Sequence, residues 1–237
     1  MADVRDTSIF KQNGLLARLT RGEKERLLPQ FDLITLKLTE VVFAAGSEIK
    51  QLYFPITAVI STVALIGEGL RVETSLIGND GVVGVSAFLG VSRTANESIV
   101  QSSGDALVIR AKTAQEEFKR VGPFHDAILL YTHVLLTQVA QTATCNRHHT
   151  VEERLSRWLL MMLDRVESNT LTLTQEFLSW MLGVRNTSVS VAAITLQDAG
   201  IIEYSRGRIV ILNRKRLEES ACGCYSLLKA HFARLAI

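Results

Sequence analysis

Two segments with the apolar spacing of short helices meet at Gly183, and this arrangement constrains the chain more than any other part of it. The first runs Leu173-Thr-Gln-Glu-Phe-Leu-Ser-Trp-Met-Leu182. Thr174 has the residue type and position of a helix N-cap. Gly183 stands where the chain must turn with positive φ. Ser179 is small enough to let a second helix cross closely. That second helix is expected from Arg185 to about Asp198 and stops at Gly200. Leu178, Leu182, Val184, Val189 and Leu196 fall on the faces that such a pair would bury. Two helices joined by a turn of three to four residues form a helix-turn-helix. Beyond it, Ile201–Tyr204 and Arg208–Leu212 read as strands joined by Ser205-Arg-Gly207, a hairpin wing with a cationic tip.

The side chains on this unit suit a nucleic acid. The exposed N-terminal face of the second helix would carry Arg185, Asn186, Thr187, Ser188 and Ser190, with no acid. Arg forks onto guanine edges, Asn onto adenine, and Ser or Thr onto bases or phosphates. Thr174 and Gln175, at a helix N-terminus, are placed for phosphate contacts, as are Ser205, Arg206 and Arg208 on the wing. Charge follows the same division: residues 147–237 hold 12 basic and 9 acidic side chains, against 14 and 15 in residues 1–146. The run Arg206, Arg208, Arg214, Lys215, Arg216 is broken by no acid. The expected partner is double-stranded DNA.

The rest of the chain supplies a different texture. With 47% hydrophobic and 21% charged residues, it is neither a disordered chain nor a long coiled coil. Three cysteines are too few for a disulfide framework, so a reducing, cytoplasmic setting is expected. Met1–Phe10 lacks the apolar stretch of a targeting signal. The uncharged stretch Ala127–Asn146 contains too many Thr, Gln and His residues for a lipid-facing helix, so no membrane partner is expected.

Leu15, Leu16, Leu19, Leu27 and Leu28 mark short helices. From Phe31 to Arg110, alternating stretches at Leu36–Thr39, Val59–Val63 and Ala106–Arg110 lie between glycine-rich turns, which predicts a small antiparallel barrel or roll. Thr113-x-x-Glu116 reads as a capping box opening a helix. Pro123 opens another. That helix is apolar around most of its circumference, leaving a polar stripe at 133, 137, 141 and 144. Its own roll is expected to cover one side and a twin helix in a homodimer the other, the alternative being a central core helix of a monomer. Arg147–Glu167 reads as a further amphipathic helix. The predicted fold is α+β: an N-terminal β-roll domain over 1–122, a dimerisation helix over 123–147, and a winged helix-turn-helix domain over 148–237.

In this order of elements the chain resembles the Crp–Fnr superfamily of bacterial transcription regulators. The resemblance is strongest over Thr174–Leu212, and it extends to Gly81-Val-Val-Gly84 followed by Arg93-Thr94-Ala95 in the roll. It implies a cyclic-nucleotide-binding-like roll, a homodimer on a two-fold promoter site, RNA polymerase as a further partner of an activator, and an effector pocket at Gly84, Val85, Arg93 and Thr94. Cyclic-nucleotide binders of that family carry a Phe-Gly-Glu whose acid grips the ribose hydroxyl. Here Val83 replaces the Phe and Val85 the Glu, so the effector is expected not to be cyclic AMP. At the second Arg position of the cyclic-AMP receptor's Arg-Glu-Thr-x-x-x-Arg motif this chain has Val191, which implies a different operator.

No catalytic motif is present, and neither an enzyme nor a cofactor is expected. Cys145-x-x-His148-His149 and Cys222-x-Cys224 with His231 lack the spacing of a structural zinc site, so no metal is expected. Two other readings remain: a redox-responsive regulator sensing through these cysteines, and a winged module that binds a ligand or protein without gripping DNA.

Overall fold

The computed structural model describes residues 2–3, 6–67 and 70–233. A two-residue strand, β1 (Ala2–Asp3), precedes a 3₁₀ turn at Thr7–Gln12 and two short helices, α1 (Gly14–Ala17) and α2 (Arg21–Leu27). Thr20 and Glu23 close a reciprocal capping box at the start of α2.

Strands β2 (Phe31–Leu36), β3 (Val41–Phe43), β4 (Gln51–Pro55), β5 (Val59–Ile66), β6 (Leu70–Ile77), β7 (Glu97–Ser102) and β8 (Gly104–Arg110) follow. They form two four-stranded sheets, ordered β1-β2-β8-β4 and β3-β7-β5-β6, with every pairing antiparallel. This is the expected roll. Its interior is aromatic at one end, where Phe10, Phe31 and Phe54 meet edge to face at 5.1 and 5.6 Å.

Helix α3 (Ala111–Phe118) leads into α4 (Pro123–His148), which has Pro123 in its first turn. The inner face of α4 seats Phe124, Ile128, Tyr131 and Val134 on the roll. Tyr131 reaches the strand connection because Gly81 has no side chain. A Cβ there would stand 2.6 Å from the Tyr131 ring. Leu129 and Leu136, spaced by a heptad on the outer face of α4, are exposed, as is Ala143.

Helix α5 (Val151–Leu163), strand β9 (Thr170–Thr172), helices α6 (Gln175–Leu182) and α7 (Asn186–Asp198), strands β10 (Ile202–Ser205) and β11 (Arg208–Ile211), and helices α8 (Arg214–Ser220) and α9 (Cys224–Phe232) complete the chain. The second apolar cluster is shared: Val59, Val63, Leu76 and Ile99 of the roll pack with Trp158, Leu178, Met181 and Leu182. The helix-turn-helix thus sits directly on the outer face of the β3-β7-β5-β6 sheet. Arg165 pairs with Asp80 at 2.6 Å, and Arg71 lies over the Trp180 ring at 5.0 Å.

Four expectations are corrected. Leu36–Thr39 is not a strand. β2 ends at Leu36, and Thr39 enters the turn with φ 66°. The Thr113/Glu116 box does not form, because α3 already starts at Ala111 and Thr113 lies inside its first turn. Arg147 belongs to α4, and α5 starts later because Thr150 and Glu153 cap each other there. Finally, the wing has a third strand, β9, whose three residues carry too little pattern to be read from sequence.

Candidate nucleic-acid interface

Thr174 caps α6, its Oγ1 accepting the Phe177 amide at 3.2 Å. The helix ends at Gly183 in the left-handed conformation, φ 60° and ψ 42°. The Gly183 amide returns to Ser179 and Trp180 carbonyls, and the Val184 amide to Ser179 at 3.0 Å. A Cβ on Gly183 would also meet the Val72 methyls at 3.2 Å. Both the backbone and the neighbouring sheet therefore require glycine at the turn. Leu178, Leu182, Val189 and Leu196 are buried as expected, with Val184 partly so.

Arg185 is the N-cap of α7, extended at φ −70° and ψ 149°, and no side chain caps the helix. Its first turn is acid-free, so no carboxylate there offsets the positive end of the helix dipole. Arg185, Asn186 and Thr187 are exposed and Ser188 is partly buried. The Ser190 hydroxyl turns back onto the helix, donating to the Asn186 carbonyl at 3.1 Å. The outer face continues instead through Val191 and Ile194, 65% and 54% exposed. Sequence reading passed over Ile194 because apolar residues at helical spacing normally signal core. Both are therefore free of the core, unlike Val189 and Leu196 on the opposite face.

The wing turn is tighter than expected. Ser205 and Arg208 pair in the ladder, leaving Arg206 and Gly207 as a two-residue loop with both φ positive, 49° and 76°. The Leu173 amide bonds the Gly207 carbonyl at 2.6 Å, fastening the wing tip to the entry of α6. Thr174, Gln175, Tyr204, Arg206 and Gly207 consequently line one open hollow of about 380 Å³. Its cationic rim and helix N-terminus suit an anion. The basic run divides in two: Arg214 is held by Asp164, Glu218 and Tyr225, and Arg216 donates to the Ala199 carbonyl at 2.6 Å. Arg206 and Arg208 are exposed.

In the roll, Gly84, Val85, Arg93 and Thr94 all line one cavity of about 280 Å³, closed by Leu135 and Val139 of α4. Arg93 is the single charged residue of its wall, and its Nη1 donates to the Gly46 carbonyl at 2.9 Å. Thr94 donates to the Asn96 carbonyl at 2.8 Å.

The two cysteine constellations read separately in the sequence are one cluster in space. Cys145, His149, Cys222 and Cys224 come together, while His148 is exposed and His231 meets the His133 ring edge to face at 6.3 Å.

A β-roll, a long helix and a winged helix-turn-helix in this order define a Crp/Fnr-type architecture. Residues 153–220 match the Crp-like helix-turn-helix domain family. FixK2 from Bradyrhizobium japonicum superposes with a TM-score of 0.69 at 16% identity, covering 81% of this chain and 98% of that one. TTHB099, a Crp-family transcriptional regulator from Thermus thermophilus, gives 0.66 at 18%, covering 79% and 96%. The c-di-GMP-responsive global regulator CLP of Xanthomonas campestris gives 0.61 at 17%, covering 81% and 99%. No curated protein matches the sequence. No described helix is long and apolar enough to cross a membrane.

Proposed function

We propose that the protein is a sequence-specific, DNA-binding transcription regulator acting as a homodimer on a two-fold promoter site, and that its signal is not cyclic AMP. The observation that carries this reading is the acid-free first turn of α7, exposed beside a wing tip that shares a hollow with the start of α6. Arg185, Asn186 and Thr187 read base edges in the major groove, with Val191 and Ile194 against methyl groups. Thr174, Gln175, Ser205, Arg206 and Arg208 hold phosphates. Ser188 and Ser190 serve as flanking contacts rather than primary readers.

The division of labour assigns residues 1–122 to sensing, 123–147 to dimerisation and 148–237 to DNA. Leu129, Leu136 and Ala143 support a helix-to-helix seam on α4. The cavity beside Val85 has no carboxylate in its wall, so a ribose hydroxyl would lose its acceptor there. As an activator, the protein would also meet RNA polymerase. Its place is the cytoplasm, where its DNA lies.

Genome-wide immunoprecipitation of the tagged protein tests the proposal. A two-fold motif with half-sites one helical turn apart, about 34 Å, is the expected result. Recovery of no motif, with no salt-dependent binding to duplex DNA, would leave the winged fold as an interaction module.

A further inference from the structure

The described residues contain one cluster of soft ligands, at the joint where α4 gives way to α5. Cys145 lies in the last turn of α4, and His149, four residues on, is the residue that caps it. Cys224 is the first residue of α9, and Cys222 lies just before its N-cap Gly223. One ligand atom from each of the four falls within 4.8 Å of all the others. Cys145 Sγ is 3.5 Å from Cys222 Sγ, and Cys224 Sγ is 3.6 Å from His149 Nδ1. Zinc binds thiolate sulfur at ~2.3 Å and imidazole nitrogen at ~2.0–2.1 Å, so tetrahedral geometry puts ligand atoms roughly 3.5–3.8 Å apart. The Cys145–Cys222 and Cys224–His149 contacts already have this spacing, and all four atoms fit within 4.8 Å. A polynuclear iron–sulfur core would spread its cysteines around several irons.

Charge supplies an independent argument. Arg154 and Arg157 of α5 are 5% and 3% exposed. Their charges act on Cys145, and that of Arg154 also on Cys222. Among the described residues neither makes a salt bridge, and the Nε of each is buried without a partner. Arg154 donates to the Leu182 carbonyl and Arg157 to the Met161 sulfur at 3.3 Å, both neutral acceptors. Arg157 also acts on the buried Glu73 carboxyl, whereas Arg154 beside three neutral thiols would be uncompensated. Three thiolates, one imidazole and a divalent ion carry a net single negative charge, the sign Arg154 requires. Gln141 Nε2 donates to Cys224 Sγ at 2.8 Å, the kind of outer contact that orients a metal thiolate.

We propose that Cys145, His149, Cys222 and Cys224 form a tetrahedral zinc site that clamps α9 to the α4–α5 joint. The proposal is independent of the DNA-binding reading, since it concerns only how the chain is fastened. The site fixes the orientation of the one joint between the dimer helix and the helix-turn-helix. It also accounts for three buried cysteines that form no disulfide.

The full-length protein, purified without oxygen and passed over a weak chelator, is expected to retain one zinc ion per chain. X-ray absorption should show three sulfurs and one nitrogen. Cys224→Ser and His149→Ala should each lower zinc affinity at least tenfold, and Gln141→Ala by about 10–100-fold. His148→Ala, at the exposed neighbour, should leave it unchanged. Should the first two variants fail to fold, cobalt(II) loaded into the wild-type chain decides: ligand-field and sulfur charge-transfer bands of a tetrahedral tri-thiolate site are expected. Zinc-free protein without those bands overturns the proposal, as does a Cys145–Cys222 disulfide in the anaerobic protein or zinc held equally by wild type and Cys224→Ser.

Discussion

Trp158 of α5 donates its indole N–H to both carboxylate oxygens of Glu73 in β6, at 3.0 and 3.1 Å, inside the contact between the helix-turn-helix and the roll. Ser61 donates to the same carboxylate from β5. Glu73 is buried, and burial pushes its carboxyl up to about 7, against the opposing pull of the Ser61 and Trp158 hydrogen bonds.

An acid with a raised pKa is stabilising when protonated. Below about 4.5 its contribution is complete, and it is lost as pH rises through about 7. The loss amounts to roughly 3 kcal/mol at about 1.4 kcal/mol per pH unit. Glu73→Gln keeps a hydrogen-bonding group and cannot ionise. Urea unfolding of both proteins across this range should show the wild type falling relative to the variant by about that amount. Parallel curves would mean that Glu73 ionises normally in the fold.

Gly183→Ala is expected to destabilise by about 1–2 kcal/mol, because a left-handed residue acquires a Cβ. The Val72 methyls, 3.2 Å from that Cβ, must also give way. Thermal melting measures the loss. An unchanged midpoint would show that the turn relaxes freely away from the sheet.

Arg185 and Arg206 are assigned different tasks, and substitution separates them. Arg185→Ala should cost about 1–3 kcal/mol on the cognate site and relax preference at one base position. Arg206→Ala should weaken every sequence alike and lower the salt slope by about one per subunit. Titration of cognate and scrambled duplexes at several salt concentrations distinguishes the two. Identical behaviour would abolish the distinction between base reader and phosphate holder.

Leu136 is 64% exposed on the outer face of α4. On the homodimer proposal, Leu136→Asp places a charge in the α4 seam and should leave the protein monomeric in sedimentation velocity, with loss of two-fold site binding. A variant that still sediments as the dimer would move the seam elsewhere.

Calorimetry with cyclic AMP and cyclic GMP should give no micromolar binding. The Val85 wall offers no acceptor to the ribose, a deficit of about 1–3 kcal/mol or more. Micromolar affinity for either nucleotide would return this cavity to the cyclic-nucleotide binders.

Local chemistry was the legible part of the sequence. Thr174, Gly183, Gly200 and Pro123 mark helix boundaries through backbone preferences that act within a few residues, and the structure has each where expected. Alternation located β5 and β8 but misled at Leu38, where the pattern runs on into a turn. The Thr113 box was overridden because Ala111 continues directly from β8 into a helix. Cys145 and Cys222 lie 77 residues apart, and no spacing rule joins ligands that only packing of α9 against α4 brings together. The seating of Met181 and Leu178 on Val59 and Ile99 was equally hidden, since each residue reads simply as core.

Helix α4 has 26 residues and is about 39 Å long at ~1.5 Å per residue. Leu135 and Val139 close the roll cavity midway along it, and Cys145 lies in its last turn. A molecule wedged into the cavity would therefore press on the middle of a stiff rod, and a sub-ångström tilt there would arrive magnified at the end that leads into α5 and the winged unit.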